Sequence, residues 1–393
     1  MWTAALALAA LMIAPGTPAR PVLSPSEAAP FVAANYWRFA GAYTSPETDP
    51  WRPQPIVTAR PDLVVRNGEA VQAAVNAAYR MGGTTRRRIA IMPGTYTGTV
   101  FIPAGSPPLT IYGVGRPEDV RLEFTVDATI TPAAWATLVN PDGRYASGDP
   151  AWPMFQSCAT KTSTTAGLCA TVVWAQSTDL QLKGLTITNT LLDTVDRGTH
   201  QALALRTDAD RTQLEDLRLI GRQDTLLTNA DDVARIARVS VRDSYIEGDT
   251  DFVFGRAAAV FDRCRFRLVS SRKDSGGVIF APNTAPSFPY GFLVTHSLIE
   301  ADAGYRAAPT GFLGRAWDQG ASATGYLPGV TPNGQLVLRD SVLGRGFNTL
   351  TPWAPAATTA RPFLARTDPG RDLNDVNYNR LWEYANVGPG AHT

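Results

Sequence analysis

Two aspartates, each placed just after a predicted strand, are the residues of this sequence best suited to catalysis. Asp224 lies in residues 221–226 (GRQDTL), where a side-chain amide precedes the acid on a turn. Asp251 lies in residues 248–255 (GDTDFVFG), where aromatic residues follow it. The two acids are 27 positions apart, which matches one long repeat of a coiled chain. Stacking of such repeats would bring them side by side.

A third segment, residues 311–317 (GFLGRAW), adds an arginine and a tryptophan between glycines. Taken singly these signals are weak, because an aspartate near a turn is usually a capping residue. An arginine before a tryptophan is often part of a surface ion pair. Their joint appearance on successive repeats is what indicates a site.

Several other kinds of chemistry have no support in the sequence. The chain lacks the G-x-S-x-G motif of serine hydrolases, a phosphate-binding loop and a dinucleotide fingerprint. Of its three histidines only His200 is a plausible catalytic base, since His296 lies in a repeat strand and His392 is penultimate. A formal net charge of +1 gives nucleic-acid binding no electrostatic support.

Short strands that recur along the chain predict the elements that position these residues. Each recurring segment has a polar pair, a small or apolar residue, and a short strand with an apolar end. The segments are residues 183–187, 215–219, 242–246, 262–266, 295–299 and 339–343. Repetition at spacings of roughly twenty to forty residues is typical of a solenoid, in which stacked coils share one core.

The composition agrees with a single long domain built from strands and turns. Charged residues make up 18% of the chain, and glycine (33) and proline (30) are plentiful. A β-sandwich is the alternative, but the recurring strands are not joined to one another by clean two-residue hairpin turns of the Asn-Gly type. Residues 68–79 have helical apolar spacing and end before Gly82 and Gly83. They predict a helix that caps the first coil.

The N-terminus begins with an apolar run that is typical of a signal peptide cut near Ala19, although no basic residue precedes it. A buried helix is the alternative, and the run is short for a membrane span. We therefore expect a signal peptide over residues 1–19 and a Pro/Ala-rich lead-in over 20–54. Residues 55–393 would form the catalytic domain of a secreted or periplasmic protein.

Three cysteines are present, and two of them, Cys158 and Cys169, lie close together in a Thr/Ser/Gly-rich stretch. In an oxidising compartment these two could close a small loop and leave Cys264 unpaired. Small buried apolar side chains are the interpretation we prefer for the cysteines. Their spacing does not match a structural zinc site, and the sequence implies no metal or organic cofactor.

Four motifs, in order, make the sequence resemble the pectin methylesterase (pectinesterase) family in its bacterial secreted type. They are residues 201–205 (QALAL), 221–226 (GRQDTL), 251–255 (DFVFG) and 313–317 (LGRAW). Residues 382–391 also resemble the C-terminal signature of the family. The resemblance implies an all-β fold, a single-stranded right-handed parallel β-helix of the pectin lyase type with a short N-terminal capping helix.

The resemblance also implies a role for each polar residue of the motifs. Asp251 would attack the methyl-ester carbonyl of a galacturonate unit of pectin, and Arg315 would keep it ionised and aimed. Gln201 and Gln223 would donate hydrogen bonds to the developing oxyanion. Asp224 would begin protonated, protonate the departing methanol, and then activate the water that hydrolyses the acyl-enzyme.

Aromatic residues of the same segments are predicted to contact the sugar. Trp317 and Phe254 would line the groove, because aromatic rings offer a large apolar area at small entropic cost. Trp353, on a late loop, is a further candidate for substrate binding. Core packing is the alternative for these rings.

Departures from the family pattern leave the substrate open. Leu227 stands where a tyrosine commonly follows the Gln-Asp-Thr-Leu motif, and Ser244 replaces a cysteine that some relatives pair at the position of Cys264. A long insertion, roughly residues 127–169, resembles bacterial members that include envelope proteins described as acyl-thioester hydrolases. Hydrolysis of an acyl-thioester or of another acyl ester on the same scaffold is therefore the alternative function.

Two further hypotheses place the same fold in other classes. An inactive β-helix that only binds carbohydrate would have no need of the acid pair. A pectin lyase or a polygalacturonase would need acids clustered for calcium or flanking the glycosidic bond, and neither pattern is present in the sequence. We expect a monomer whose partner is pectin or homogalacturonan, with no nucleic-acid partner and no membrane span.

Overall fold

Successive coils of the chain supply strands to three long parallel sheets, which together form a right-handed parallel β-helix. The predicted fold class is confirmed. The computed structural model describes residues 16–392. Most of the predicted signal peptide, residues 1–15, therefore lies outside the described residues.

The strands are numbered here in chain order. The first half comprises β1 (Gly16–Thr17), β2 (Arg20–Pro21), β3 (Phe39–Ala42), β4 (Ser45–Thr48), β5 (Leu63–Val65), β6 (Arg87–Ile91), β7 (Gly94–Thr97), β8 (Val100–Ile102), β9 (Leu109–Gly113), β10 (Val120–Phe124), β11 (Thr171–Ala175), β12 (Gln181–Lys183), β13 (Thr186–Asn189) and β14 (Leu203–Asp208). The second half comprises β15 (Thr212–Glu215), β16 (Arg218–Ile220), β17 (Leu226–Asn229), β18 (Arg238–Arg242), β19 (Tyr245–Gly248), β20 (Val253–Gly255), β21 (Ala258–Asp262), β22 (Arg265–Leu268), β23 (Val278–Pro282), β24 (Phe292–Thr295), β25 (Leu298–Ala301), β26 (Phe312–Gly314), β27 (Gln335–Arg339), β28 (Val342–Leu343) and β29 (Arg380–Tyr384).

Three sheets stack the coils in register. The ten-stranded sheet has the order β5-β6-β9-β12-β15-β18-β21-β24-β27-β29. The eight-stranded sheet has the order β7-β10-β13-β16-β19-β22-β25-β28, and the seven-stranded sheet the order β8-β11-β14-β17-β20-β23-β26. Strands β1 and β2 form one small antiparallel pair, and β3 and β4 form another.

The predicted repeats are the corners that join the ten-stranded sheet to the eight-stranded sheet. In each corner the second residue of the recurring segment has a positive φ, which carries the chain from one sheet to the next. These residues are Gly184 (64°), Asp216 (53°), Asp243 (51°), Arg263 (53°), His296 (49°) and Asp340 (48°). A non-glycine residue with this conformation costs about 1–2 kcal/mol. Backbone N–H groups that donate to corner hydroxyls offset part of that cost, as Leu217 does to Ser244 Oγ (3.1 Å) and Cys264 to Ser297 Oγ (3.0 Å).

The interior is one continuous apolar cluster, because equivalent positions of successive coils face inward together. On the seven-stranded sheet Leu205, Leu226, Val253 and Phe280 are register partners in four consecutive strands, and all are fully buried. Each coil thus buries its inner face against its neighbours rather than alone.

The described helices are few and short. They are α1 (Pro25–Ala28), α2 (Ala33–Tyr36), α3 (Val71–Met81), α4 (Pro132–Val139), α5 (Trp152–Ala159) and α6 (Ala303–Ala307). The 3₁₀ turns are Pro117–Asp119 and Gly167–Cys169. No helix within residues 16–392 is long and apolar enough to cross a membrane.

Helix α3 is the predicted cap. Val75 and Ala78 join the apolar interior, and the side chain of Gln72 forms both a donor (2.9 Å) and an acceptor (2.7 Å) contact with the backbone of Phe101 in β8. The helix ends at Gly82, whose φ is 59°. The prediction of a helix that covers the first coil and stops at this glycine is confirmed.

Residues 20–54 lie against the outer face of the ten-stranded sheet. Leu23, Tyr36 and Tyr43 are buried in an apolar cluster with outward-facing strand residues such as Val260 and Leu293. At the far end of the sheet, Arg20 of β2 forms a buried ion pair with Glu383 of β29. The segment predicted as a lead-in is thus packed along the solenoid.

The long insertion forms a small helical region on the outer face of the seven-stranded sheet. Helices α4 and α5 pack there with Phe101 and Trp174 in an aromatic cluster. Cys158 at the end of α5 forms a disulfide with Cys169. The preference for unpaired buried cysteines is therefore wrong for this pair and holds for Cys264, which is buried and free.

Candidate active site

The two predicted catalytic aspartates occupy equivalent positions in neighbouring coils. Asp224 precedes β17 and Asp251 precedes β20, and the register pairs Gln223 with Thr250 just before them and Leu226 with Val253 just after. Adjacent strands of a sheet lie about 4.8 Å apart. The backbone N–H of Asp224 donates to the carbonyl of Thr250 (3.0 Å). The structure therefore brings the two acids together one coil apart, as their spacing in the sequence suggests.

Both aspartates have a backbone conformation that is unfavourable in free energy for residues other than glycine. Their φ angles are 68° for Asp224 and 48° for Asp251, in the left-handed region that favours glycine. Aspartate tolerates this region better than most residues. The two neighbouring coils thus share this conformation at the position of the acid.

Asp251 is held by a bidentate ion pair. Arg315, which directly follows β26 two coils further on, donates from Nε to Oδ1 (2.8 Å) and from Nη2 to Oδ2 (2.6 Å). Because the planar guanidinium contacts both oxygens, it fixes the plane of the carboxylate.

Asp224 has different surroundings, although it is the same kind of residue. Only 3% of it is exposed, and burial together with the negative charge of Asp251 raises its pKa well above the ordinary value. Gln201 donates from Nε2 to Asp224 Oδ2 (2.7 Å), and Arg315 also opposes the rise in pKa, but neither reverses it. Of the two carboxyl groups, Asp224 is therefore the one whose surroundings favour the protonated form.

Side-chain amides line the approach to the acid pair. Gln201, Gln223 and Thr250 are bridged in parallel on three successive coils. The backbone N–H of His200 donates to Gln223 Oε1 (2.8 Å), which orients the amide. Because an amide carries its acceptor and its donors on opposite atoms, this contact leaves Nε2 of Gln223 available to a ligand.

The ring of His200 is engaged away from the acid pair. Nδ1 lies 2.7 Å from Asp127 Oδ2 in the insertion, and Nε2 lies 3.1 Å from Asp196 Oδ1. Burial lowers the pKa of His200, but the two carboxylates outweigh it and raise that pKa overall. His200 links the insertion to the site and positions Gln223, and this geometry does not support the prediction of a catalytic base.

The predicted aromatic residues have unequal access to a ligand. Trp317 is half-buried, and its ring centroid lies 5.7 Å from that of Phe254. Phe254, only 3% exposed, packs beneath it with Leu203 and Leu227. Trp353 is also 3% exposed and belongs to the main interior cluster. Trp317 alone of the three presents a substantial surface, and Phe254 supports it from below.

A fully buried ion pair near the site was not foreseen from the sequence. Arg272 donates to both oxygens of Asp249 (2.8 and 2.6 Å) and also to the carbonyls of Asp196 (3.1 Å) and Gly198 (2.9 Å). It thereby ties the segment before Asp251 to the loop that carries His200. Arg272 lies in a loop without a recognisable motif, so only its contacts reveal this role.

The described residues contain no group of three or more histidine, cysteine, aspartate or glutamate side chains placed to hold a metal ion. The polar groups gathered at the site are instead a buried carboxyl group, an arginine-bound carboxylate and side-chain amides. On the outer surface of the seven-stranded sheet of a parallel β-helix, this set suits a hydrolase that acts on esters.

Comparison with known proteins agrees with that class. The family model described as Pectinesterase matches residues 154–327. Pectinesterase B of Dickeya dadantii is 51% identical over 94% of this chain and 90% of its own length. The structure of rice weevil pectin methyl esterase is 40% identical with a TM-score of 0.87, covering 97% of this chain and 100% of that one.

A relative with a different name is almost as similar. The putative acyl-CoA thioester hydrolase YbhC of Escherichia coli is 43% identical over 96% of this chain and 90% of its own length. Its crystal structure has a TM-score of 0.89 and covers 99% of this chain and 100% of that one. The chain described here belongs to the pectinesterase family and is a carboxylic ester hydrolase.

Proposed function

We propose that this enzyme hydrolyses the methyl esters of galacturonate units in pectin and releases methanol, with Asp251 as nucleophile and Asp224 as general acid and base. The observation that carries this proposal is the contrast between two neighbouring carboxyl groups. Arg315 binds both oxygens of Asp251, whereas burial and the charge of Asp251 raise the pKa of Asp224. One group is thus prepared to attack and the other to give a proton.

In the first step an oxygen of Asp251 attacks the ester carbonyl carbon, and the carbonyl oxygen gains negative charge. Nε2 of Gln223, which the backbone of His200 leaves available, would donate to that oxygen, with Gln201 as the second donor. Removing one donor of this kind typically costs about 3 kcal/mol of transition-state stabilisation.

Collapse of the tetrahedral intermediate breaks the bond to the methoxy group. Asp224 gives its proton to that oxygen, so methanol leaves and an acyl–Asp251 intermediate remains. The ionised Asp224 then takes a proton from water, the resulting hydroxide attacks the acyl carbon, and Asp251 is released as a carboxylate. The product is a free carboxylate on the polymer, and both aspartates return to their starting states.

Pectin as the substrate is supported by two kinds of observation. The half-buried ring of Trp317, backed by Phe254, offers an apolar face beside the acid pair that suits a sugar ring. In addition, relatives of 40–51% identity are named pectinesterase or pectin methyl esterase.

A second candidate function is hydrolysis of an acyl-thioester or of another acyl ester. The similarity to the putative acyl-CoA thioester hydrolase YbhC favours it. The same two aspartates would serve, because a thioester also has a carbonyl carbon open to attack and a leaving group that accepts a proton.

The decisive experiment measures methanol released from highly methylated pectin by the purified mature chain, with titration of the acid formed. We expect methanol and acid in equal amounts, with no new reducing ends and no unsaturated product. Folded protein that releases no methanol would contradict the proposal, and acyl-CoA thioesters and small acyl esters would then be assayed on the same sample.

We also propose that residues 1–19 are a signal peptide, that 20–54 form a surface segment and that 55–393 form the catalytic domain of a secreted or periplasmic monomer. The disulfide between Cys158 and Cys169 supports export, because such bonds persist in oxidising compartments. N-terminal sequencing of protein from the periplasm and the medium would test the cleavage site, and light scattering would test the monomer.

A further inference from the structure

A lysine that no catalytic role requires lies beside the acid pair. Nζ of Lys273 donates to Thr250 Oγ1 (3.3 Å). Thr250 immediately precedes Asp251 and continues the row of Gln201 and Gln223 along the coils. The ammonium group therefore lies at the end of the row of polar groups that faces the substrate.

The ammonium group of Lys273 has no anionic partner in residues 16–392. Asp249 is occupied by Arg272 and Asp251 by Arg315, each through both oxygens. No ion pair within the described residues includes Lys273. Lys273 is nevertheless half-buried, and an ammonium group has three protons to donate, of which Thr250 accepts one. A partly desolvated cation with unused donors favours an anionic ligand.

The backbone around Lys273 is held on both sides. Arg272, the residue before it, is locked in the buried pair with Asp249. The hydroxyl of Tyr305 donates to the carbonyl of Lys273 (2.7 Å) and accepts from the N–H of Gly277 (3.0 Å). The backbone that carries the ammonium group is therefore held in place, which reduces the conformational entropy lost when a ligand binds.

We propose that Lys273 binds a free carboxylate of the galacturonate chain next to the ester under attack. The enzyme would then prefer esters that adjoin a unit already de-esterified, so each product carboxylate would favour the next reaction nearby. This inference rests on the proposed function, because only a polygalacturonate substrate carries such carboxylates. Burial lowers the pKa of Lys273, the negative charges of Asp249 and Asp251 offset this only in part, and the positive charge of Arg315 adds to it; a bound carboxylate would oppose the lowering further.

The kinetic test uses oligogalacturonides of equal length that are either fully methylated or carry one free carboxylate beside the remaining esters. Lys273→Met should lower kcat/KM about tenfold on the mixed substrate, mainly through KM, which corresponds to about 1.4 kcal/mol. The loss on the fully methylated substrate should be much smaller, and Lys273→Arg should restore most of the preference. Lys183→Met, which removes a lysine on β12 of the ten-stranded sheet, is the matched control.

Equal losses on the two substrates would overturn the inference, because Lys273 would then act on Asp251 or Thr250 rather than on a substrate carboxylate. A binding measurement separates this outcome from failure of the proposed function. Fully de-esterified hexagalacturonate should bind the wild-type chain about ten times more tightly than Lys273→Met, whether or not methanol is released. Binding that is equal in the two, or displaced only by coenzyme A, would also overturn it.

Discussion

Asp224 and Asp251 are both aspartates, but their carboxyl groups have different surroundings. Arg315 contacts both oxygens of Asp251, whereas Asp224 is covered by protein and receives one amide hydrogen bond from Gln201. Their charges also interact, since ionised Asp251 disfavours ionisation of Asp224. The two roles proposed for the pair follow from this arrangement.

Asp251→Asn is expected to reduce methanol release by at least about 10³-fold, because the amide cannot act as the nucleophile. The side chain keeps its size, so the variant should stay folded and bind pectin, but it leaves the partly buried Arg315 without a countercharge and should unfold at a lower temperature than the wild type. Asp231→Asn, in an exposed turn, is the matched control and should keep full activity. Retention of most of the activity by Asp251→Asn would exclude the covalent mechanism.

Asp224→Asn is expected to lose activity and gain stability. The folded-state pKa of Asp224 is raised, so its stabilising contribution is complete below the unfolded-state pKa of about 3.9 and is lost as the pH rises through the folded-state value. The neutral amide avoids this loss and can still accept from Gln201. Urea unfolding at pH 4 and pH 7 should show the variant's advantage only at pH 7, where it should exceed about 1 kcal/mol. Equal differences at both pH values would contradict the assignment of the proton.

At the scale of elements, the coils carry the site and the insertion shelters one side of it. Strands β17 and β20 place the acids, and the end of β26 places the arginine. The α4–α5 insertion reaches the site through the contact between Asp127 and His200, whose backbone orients Gln223. The disulfide closes the base of this insertion.

Loss of the disulfide should destabilise the protein without abolishing catalysis. The bond joins residues 11 positions apart, and a loop of that size corresponds to about 3 kcal/mol in the chain-entropy model. The double variant Cys158→Ser/Cys169→Ser should therefore unfold at a lower temperature and keep its activity at room temperature. Dithiothreitol should lower the melting temperature of the wild type and leave that of the variant unchanged. An equal response of both would show that the disulfide does not contribute.

At the scale of the whole molecule, stability depends on covering the two ends of a stack. In a solenoid each coil contacts only its neighbours, so the terminal coils need other partners. Helix α3 covers the first coil. At the other end, β2 brings Arg20 to Glu383 on the last strand of the ten-stranded sheet, and Arg20 also donates to the carbonyl of Gly390 (2.8 Å).

Glu383→Gln should lower the free energy of unfolding by about 3–5 kcal/mol, because it leaves Arg20 buried without a countercharge. Asp119→Asn breaks a pair with Arg116 that is exposed to solvent and should leave the free energy of unfolding almost unchanged. Chemical unfolding of both variants beside the wild type would measure the difference. Similar small losses in the two would mean that the N-terminal segment does not stabilise the last coil.

The sequence alone determined the solenoid and its corners, and it predicted that Asp224 and Asp251 would lie on neighbouring coils. Coils repeat, so local polar pairs such as those at Asp243 and Asp340 indicate corners, and the distance from Asp224 to Asp251 indicates adjacent coils. The capping helix could also be predicted, because helical spacing and a terminal Gly82 are local signals. Such features depend on residues that are close in the chain.

Only the tertiary structure decided how the site residues differ from one another. The raised pKa of Asp224, the engagement of the His200 ring by Asp127 and the burial of Trp353 depend on contacts between distant residues. The pairing of Cys158 with Cys169 and the contact of Lys273 with Thr250 are likewise matters of three-dimensional distance. Burial and electrostatic interaction are properties of packed groups, and a sequence pattern states which groups are present but not which of them touch.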